Sequence, residues 1–313
     1  MKIAFYSNQL CLRGTEVSLY NFAHYNEEVL GNESVIVSQN HTNMDALPKF
    51  CSRFKVDLTP WWGIEDYIKK EKPDWLYITK AGNNDGYSVS SIPCFIHVVF
   101  RYNEPHGNRY VYISDWLARD QGYNTETNGL PYIVDKLPNP TKTMRESLNI
   151  PKDDFVFGCY GGSIEFNIGF VHEVIKKTVK ERKDVYFIFM NINKFCEDNP
   201  QIIHLPGSWN LLTKSEFIHS CDAMLHARSR GETFGLAVAE FSICNKPVVT
   251  YDLSGEKCHT DLLGDRGIYY KGFEDLYDIV NNTNSYVKHN DYYESYKNNS
   301  PEIIMNRFKK LLL

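Results

Sequence analysis

The chain has 313 residues, of which 42% are hydrophobic, 14% aromatic and 23% charged, so it can bury a sizeable core. This composition excludes a disordered tail, a collagen-like repeat and a small disulfide scaffold. Lys and Arg total 34 against 39 Asp and Glu, and the resulting net charge of -5 argues against nucleic acid as a partner. The length predicts two domains.

The first half of the chain alternates strands with helices. Helical patterns cover Val17–Ala23, Ile64–Lys70 and Asp115–Gly122. The predicted strands are Lys2–Ser7, Ser34–Ser38, Trp75–Thr79, Pro93–Phe100 and Tyr110–Ser114. This alternation predicts a parallel α/β sheet. A stretch with three prolines, residues 137–153, predicts a linker.

The same alternation resumes after the linker. The predicted strands are Phe155–Cys159, Val185–Asn191, Ile202–Leu205, Ala223–His226 and Pro247–Thr250. The predicted helices are Ile168–Lys180, Lys214–Ser220 and Phe234–Cys244, with a helix pair over Tyr292–Leu313. Two consecutive α/β units predict a cleft, with ligands bound beyond the carboxyl ends of the strands.

The cysteines and the apolar runs indicate the compartment. The eight cysteines form no C-x-x-C pair, and several lie in apolar runs, so we expect buried, reduced thiols. The first apolar run is too short for a signal peptide, and no apolar stretch reaches about 18 residues. We therefore expect a soluble, cytoplasmic protein.

The most informative stretch is residues 221–252, CDAMLHARSRGETFGLAVAEFSICNKPVVTYD. A strand is predicted to end at His226, and a helix to begin near Phe234, where Gly235 allows close backbone approach. The free amides of the first helical turn suit a phosphate. Glu232 lies just before them, and Glu240 lies about 7–8 Å along the helix. Two carboxylates at this spacing suit the hydroxyls of a sugar and a ribose.

This stretch resembles the signature of retaining nucleotide-sugar glycosyltransferases of the GT-B fold, especially family 4. The matching residues are Glu232 and Glu240, Phe234-Gly235-Leu236 between them, and Pro247-Val248-Val249 after them. A weaker resemblance covers most of the chain, through the Gly14 loop, the strand with His97, ISDW at 113–116 and LPNP at 137–140.

The resemblance implies a fold of two Rossmann-like domains facing a central cleft. It implies an acceptor-binding domain over residues 1–142 and a nucleotide-sugar-binding domain over residues 143–313, with a C-terminal helix that packs back toward the first domain. It also implies transfer of a hexose, with retention, from a donor such as a UDP- or GDP-hexose to a hydroxyl of a glycan or glycolipid. No cofactor and no metal are expected.

The resemblance also implies residue roles. Glu232 would face the donor sugar hydroxyls, and His97 would lie near the reaction centre. Glu240 would hold the ribose. The remaining implied contacts are the amides of Phe234, Gly235 and Leu236 at the sugar and phosphate, and the Gly14 loop at the diphosphate.

One departure concerns the diphosphate. The family has an Arg and a Lys after the first strand of the second domain, and here Gly162 and Ile168 take those places. Losing two cations should cost several kcal/mol of charge stabilisation unless other cations replace them. The candidates are Arg13, Arg228 and Arg230, with Lys257 a weaker one. The loss also motivates an alternative: a degenerate, non-catalytic protein that binds a sugar or nucleotide on the same fold.

Each residue also has a structural alternative. Glu232 could serve the helix dipole, Glu240 could be solvated, and His97 could be a satisfied core histidine. Arg228 and Arg230 could be solvated loop charges, and Gly14 a helix cap or turn. Trp61-Trp62, near Lys69, Lys70 and Lys72, could pack in the core or form an acceptor or peripheral membrane surface. A nicotinamide-dependent oxidoreductase is disfavoured because no G-x-G-x-x-G follows a strand.

Overall fold

The computed structural model describes residues 1–39, 43–287 and 292–313. Its contacts divide the chain into two compact units. The first comprises Met1–Ile133 with Asn298–Leu313, and the second comprises Val134–Lys297. Residues 134–142 therefore group with the second unit, while the predicted domain boundary after residue 142 stays a prediction.

The first unit is built on a parallel sheet of apolar strands. Its strands are β1 (Lys2–Ser7), β2 (Glu33–Ser38), β3 (Lys55–Leu58), β4 (Trp75–Lys80), β5 (Cys94–Val98) and β6 (Arg109–Tyr112). Its helices up to residue 133 are α1 (Gly14–Glu28), α2 (Leu47–Cys51), α3 (Ile64–Glu71), α4 (Asp115–Asp120) and α5 (Thr125–Asn128). The strand order is β3-β2-β1-β4-β5-β6, and every pairing is parallel. Most residues of β1, β2 and β5 are buried, as expected for strands covered on both faces.

The second unit repeats this plan. Its strands are β7 (Phe155–Tyr160), β8 (Val185–Met190), β9 (Ile202–Leu205), β10 (Ala223–His226), β11 (Gly231–Glu232), β12 (Val248–Tyr251), β13 (Glu256–Lys257) and β14 (Gly267–Tyr270). Its helices are α6 (Gly169–Glu181), α7 (Leu211–Ser220), α8 (Leu236–Ile243), α9 (Cys258–Leu263), α10 (Phe273–Asn281) and α11 (Thr283–Tyr286). The main sheet has the order β14-β12-β10-β7-β8-β9, and β11 pairs with β13 separately.

Both sheets have the Rossmann-like strand order, in which the first strand of each unit lies beside the fourth. The predicted pair of Rossmann-like units is therefore confirmed. The order reverses beside β1 in the first unit and beside β7 in the second, which makes those carboxyl edges the expected ligand positions.

The last helix, α12 (Pro301–Leu312), belongs to the first unit. The Phe308 ring lies 5.6 Å from Phe22, 5.8 Å from Tyr77 and 5.3 Å from Phe95, centroid to centroid. This confirms that the C-terminal helix packs with the N-terminal domain. The predicted helix pair is wrong in one respect: residues 297–299 form a single 3-10 turn, and residues 292–296 are irregular.

The predicted linker, residues 137–153, contains no helix or strand, but it is anchored to the second unit. The backbone N–H of Met144 donates to Ser220 Oγ at 2.7 Å, and Arg145 Nε donates to the Ser220 carbonyl at 3.0 Å. Arg145 also pairs with Asp222 at 2.7 Å. Because these polar groups are satisfied by the second unit, the segment is part of that unit rather than a free tether.

Side-chain burial corrects two expectations. All eight cysteines lie in the described part of the chain and are free thiols, but Cys51, which ends the short surface helix α2, is exposed, and Cys196 and Cys244 are only half-buried. Trp62 is 88% exposed and therefore does not pack in the core, whereas Trp61 is half-buried. Within the described residues, the helices are all too short or too polar to cross a membrane.

Candidate functional site

The turn before α8 depends on two glycines with positive φ. Gly231 has φ +84°, and a Cβ there would lie 2.0 Å from the Glu256 carbonyl oxygen on β13. Gly235 has φ +86° and is the N-cap residue of α8. These values favour glycine strongly. The two turns direct the chain from the end of β10 through Glu232 into the helix, as predicted from the sequence.

Glu232 carries a carboxylate held by two donors. Arg228 Nη1 donates to Oε2 at 2.7 Å, and His226 Nε2 lies 3.2 Å from Oε1. The Glu232 side chain is 20% exposed, so it can still reach a ligand. Burial opposes its ionisation, but the hydrogen bond from His226 and the charge of Arg228 outweigh burial and lower the pKa of Glu232 to about 2. The residue is therefore ionised at neutral pH.

A chain of buried polar groups continues behind His226, and the sequence reasoning missed it. Thr250 Oγ1 lies 2.8 Å from His226 Nδ1 and 3.1 Å from His259 Nε2. The Thr250 hydroxyl can both donate and accept, so it links the two imidazole rings, and the direction of each hydrogen bond follows the ring tautomers. Burial, followed by the charge of His226, lowers the pKa of His259 to about 3. The chain depends on the parallel pairing of His226 with Thr250 on neighbouring strands, which no local sequence pattern reveals.

Two of the three arginines proposed to replace the missing cations, Arg228 and Arg230, are already paired. Arg228 lies 2.6 Å from Glu165 as well as 2.7 Å from Glu232. Arg230 Nε donates to Glu256 at 2.7 Å, and its side chain is half exposed. Glu165 follows β7, so the loop that lacks the family's cations supplies a carboxylate instead. The positive charge near the start of α8 is therefore largely balanced by carboxylates.

Glu240 lies on α8 and is buried rather than solvated. Lys214 Nζ donates to both carboxylate oxygens, at 2.9 and 3.0 Å, and the Tyr160 hydroxyl donates to Oε2. The Lys214 and Glu240 side chains are 9% and 7% exposed. Lys214 was not predicted, because its position on α7 gives no sequence signal that it meets α8. Any ribose contact of Glu240 would have to share or replace these two donors.

Phe234, Gly235 and Leu236, whose amides are predicted to contact the donor, lie at the start of α8. Phe234 is buried, with its ring 5.7 Å from that of Tyr296, and its carbonyl accepts from the Tyr296 hydroxyl at 3.3 Å. Leu236 is the first residue of α8, directly after Gly235. Gly162 lies in the loop after β7, where a Cβ would meet Glu165 Cγ at 2.9 Å. Their roles in binding stay predictions.

The predicted residues of the first unit lie in two different environments. Gly14 is the first residue of α1 and Arg13 its N-cap residue; both are exposed, and a Cβ on Gly14 would meet no atom within 4 Å. His97, on β5, is fully buried: its Nδ1 contacts the Tyr77 hydroxyl and its Nε2 lies 2.8 Å from the Leu130 carbonyl. Burial lowers the pKa of His97 to about 3. These contacts favour the alternative of a satisfied core histidine, and its catalytic role stays a prediction.

A cavity of about 610 Å³ lies at the carboxyl ends of β8 and β9 in the second unit. Its apolar lining includes Met144, Met190 and Leu205, and Lys142 and Glu216 add charged groups. Most of residues 142–148 form part of the wall of this cavity. Within the described ranges, no group of three or more His, Cys, Asp or Glu side chains is placed to hold a metal ion.

The two Rossmann-like units are those of the GT-B fold, which solved structures similar to this chain share. No protein-family model and no curated protein matches the sequence. One similar structure is Anabaena Alr3699/HepE in complex with UDP and glucose, with a TM-score of 0.72 and 13% identity, covering 100% of this chain and 99% of that one. A glycosyltransferase from Rickettsia africae has a TM-score of 0.67 and 12% identity over 98% of this chain and 94% of its own. A putative UDP-N-acetylglucosamine 2-epimerase from Listeria monocytogenes has a TM-score of 0.65 and 14% identity over 99% and 95%.

Proposed function

We propose that this protein is a glycosyltransferase that takes a hexose from a nucleoside-diphosphate sugar and transfers it, with retention, to an acceptor hydroxyl. The observation that carries the proposal is the Glu232 carboxylate, held ionised by Arg228 and His226 directly before the glycine-capped start of α8. An ionised carboxylate accepts two sugar hydroxyls well, and the adjacent helix start suits a phosphate. Similar structures were solved with UDP and glucose and with UDP-glucose, which supports this ligand class.

In the proposed reaction the donor binds to the second unit. Its diphosphate lies at the start of α8, its sugar beside Glu232, and its nucleoside toward the cavity at the ends of β8 and β9. The bond between the anomeric carbon and the diphosphate oxygen breaks as the acceptor oxygen attacks the same face. The acceptor proton passes to the leaving phosphate oxygen. The nucleotide sugar is the only co-substrate required, and no metal is proposed.

The test compares carboxylate-to-amide variants in an assay that detects released UDP or GDP from a panel of UDP- and GDP-hexoses, with and without glycan and glycolipid acceptors. Glu232→Gln should lower turnover by at least about 100-fold, because the amide cannot replace the charged acceptor of two hydroxyls. Glu173→Gln changes an exposed carboxylate on α6 and should leave turnover unchanged. Unchanged turnover in a folded Glu232→Gln variant would contradict the site assignment.

A second candidate is a non-catalytic protein that binds nucleotide sugars on the same fold. It is favoured by the pairing of Arg228 and Arg230 with carboxylates and by Gly162 and Ile168 at the positions of the family's cations. Thermal-shift titration with UDP, GDP and their sugars separates the two candidates when it is combined with the release assay. Saturable binding with no release or transfer across the whole panel would favour the binding protein. Conversion of UDP-N-acetylglucosamine to an epimer would contradict both candidates.

A further inference from the structure

The Tyr6, Trp61 and Tyr87 rings pack together at the carboxyl edge of the first sheet, and Trp62 follows Trp61 directly in the chain; these four residues are called the aromatic cluster. Tyr6 is next to the last residue of β1, the two tryptophans follow β3, and Tyr87 lies in the loop after β4. The strand order of this sheet reverses between β1 and β4. This edge is the place where parallel α/β sheets bind ligands. None of these four residues has a role in the donor site described above.

Three rings of the cluster contact one another, and the fourth, Trp62, is exposed. The Trp61 and Tyr87 rings are stacked, with centroids 4.7 Å apart and an interplanar angle of 30°. Tyr6 is buried beneath them, with its ring 5.0 Å from Trp61 in an edge contact and its hydroxyl accepting from Gln39 at 2.6 Å. Trp62, by contrast, is 88% exposed. Among the residues that the structure describes, Trp62 therefore offers an exposed indole directly after the half-buried Trp61 in the chain.

The loop that carries Tyr87 is held in place by a buried lysine. Lys80 has only 8% of its side chain exposed, and its ammonium pairs with Asp85 and lies 3.2 Å from His106 Nε2. Asp85 in turn accepts the backbone N–H of Tyr87 at 3.1 Å. The Lys80 charge also lies 6.0 Å from the Tyr87 ring centroid. These contacts fix the ring before any ligand arrives, which lowers the entropic cost of binding.

The chemistry around the rings distinguishes between occupants. The ring surface is bordered by carboxylates: Asp85 is 37% exposed, and Glu65 and Asp66 lie in the first turn of α3 just after the tryptophans. Lys69 pairs with Asp66, and Lys70 lies 3.8 Å from Glu71. Anionic lipid headgroups would meet these carboxylates, which disfavours a membrane surface. A pyranose suits both the rings and the carboxylates, because its C–H face packs on an aromatic ring while its hydroxyls donate to carboxylates.

We propose that the aromatic cluster binds a saccharide ring of the acceptor, with Trp62 stacking on the sugar face and Asp85 accepting its hydroxyls. The proposal rests on the proposed function, since it assigns the acceptor of that reaction to a glycan rather than to a lipid surface. Trp62 is the specificity-determining residue, and the Lys80–Asp85 pair positions Tyr87.

The experiment measures saccharide binding by saturation-transfer NMR and tryptophan fluorescence, with no nucleotide sugar present. The probes are the methyl glucosides, galactosides and mannosides, together with maltose, lactose and cellobiose. Trp62→Ala and Trp62→Leu should both lower the affinity for the saccharide about tenfold, because neither side chain has a ring face. Trp62→Tyr should keep binding within about threefold of the wild type. The rise in melting temperature caused by UDP should be the same in all three variants.

Three results would overturn the proposal. The first is wild-type protein that turns over a donor but binds none of the saccharides. The second is a Trp62→Leu variant that binds as tightly as Trp62→Tyr, since a ring would then be unnecessary. The third is unchanged saccharide binding with lost binding to phosphatidylcholine–phosphatidylglycerol vesicles, which would show a membrane contact. Ring-dependent saccharide binding without any donor turnover would support the cluster while refuting the transferase.

Discussion

Replacing Lys214 with Met tests the buried ion pair of the second unit. The change removes the ammonium but keeps the length of the side chain, so Glu240 retains only the Tyr160 donor. With both side chains less than a tenth exposed, water can replace little of the lost interaction. Breaking a buried pair in this way costs about 3–5 kcal/mol. We expect that loss in the free energy of unfolding, measured with guanidinium at neutral pH without ligand.

Two comparisons show whether burial causes the loss. Lys176→Met removes an exposed partner from the Lys176–Glu173 pair on α6 and should cost at most about 1 kcal/mol. Adding Glu240→Met to Lys214→Met should recover most of the stability, because no buried charge then lacks a partner. The reasoning is refuted if Lys214→Met costs less than about 1 kcal/mol, or if the double variant is no more stable than the single one.

Three further predictions concern the carboxylates and the glycine turn. Because the folded pKa of Glu232 is about 2 against an ordinary 4.5, its stabilisation is present above pH 4.5 and is lost as the pH falls toward 2. Glu232→Gln should therefore lower the free energy of unfolding by about 3 kcal/mol at neutral pH and by little near pH 2. Urea denaturation at each pH measures this difference. Burial raises the pKa of Glu16 above its ordinary 4.5. The protonated side chain therefore contributes to the free energy of unfolding below pH 4.5, and this contribution is lost as the pH rises through the folded pKa. Glu16→Gln should gain roughly 1 kcal/mol at neutral pH and nothing below pH 4.5; a gain at low pH would contradict this. Gly231→Ala should lower stability by at least about 3 kcal/mol through strain and collision, whereas Gly14→Ala should be tolerated, as thermal melts will show.

The sheets could be predicted from sequence because most of their strands are continuous apolar runs. β1, β5 and β8 are nearly fully buried, so hydrophobicity alone marks them. The edge strand β3 was missed because its residues are mostly half-buried or exposed. β14 was missed for a similar reason: three of its four residues are half-buried, and it is short.

The site could be predicted only where it depends on local sequence. Gly235 and Glu232 are linked by a turn of a few residues, so the motif shows their relation. Lys214 meets Glu240 across 26 positions of sequence, and His226 meets Thr250 across 24. Such contacts are made by the packing of α7 on the sheet and by strand pairing, neither of which leaves a local pattern. The burial of His97 could likewise not be predicted, because an apolar strand is compatible both with a core histidine and with one that faces a ligand.

The place of α12 in the first unit has a consequence for synthesis on the ribosome. Phe22, Tyr77 and Phe95 are made early, but Phe308, which packs on them, is made only after the whole second unit. At about 5–20 residues per second, this aromatic surface stays uncovered for on the order of ten to forty seconds. The second unit can complete its own sheet during that interval. A chaperone would therefore be expected to bind the first unit while the second unit is still being synthesised.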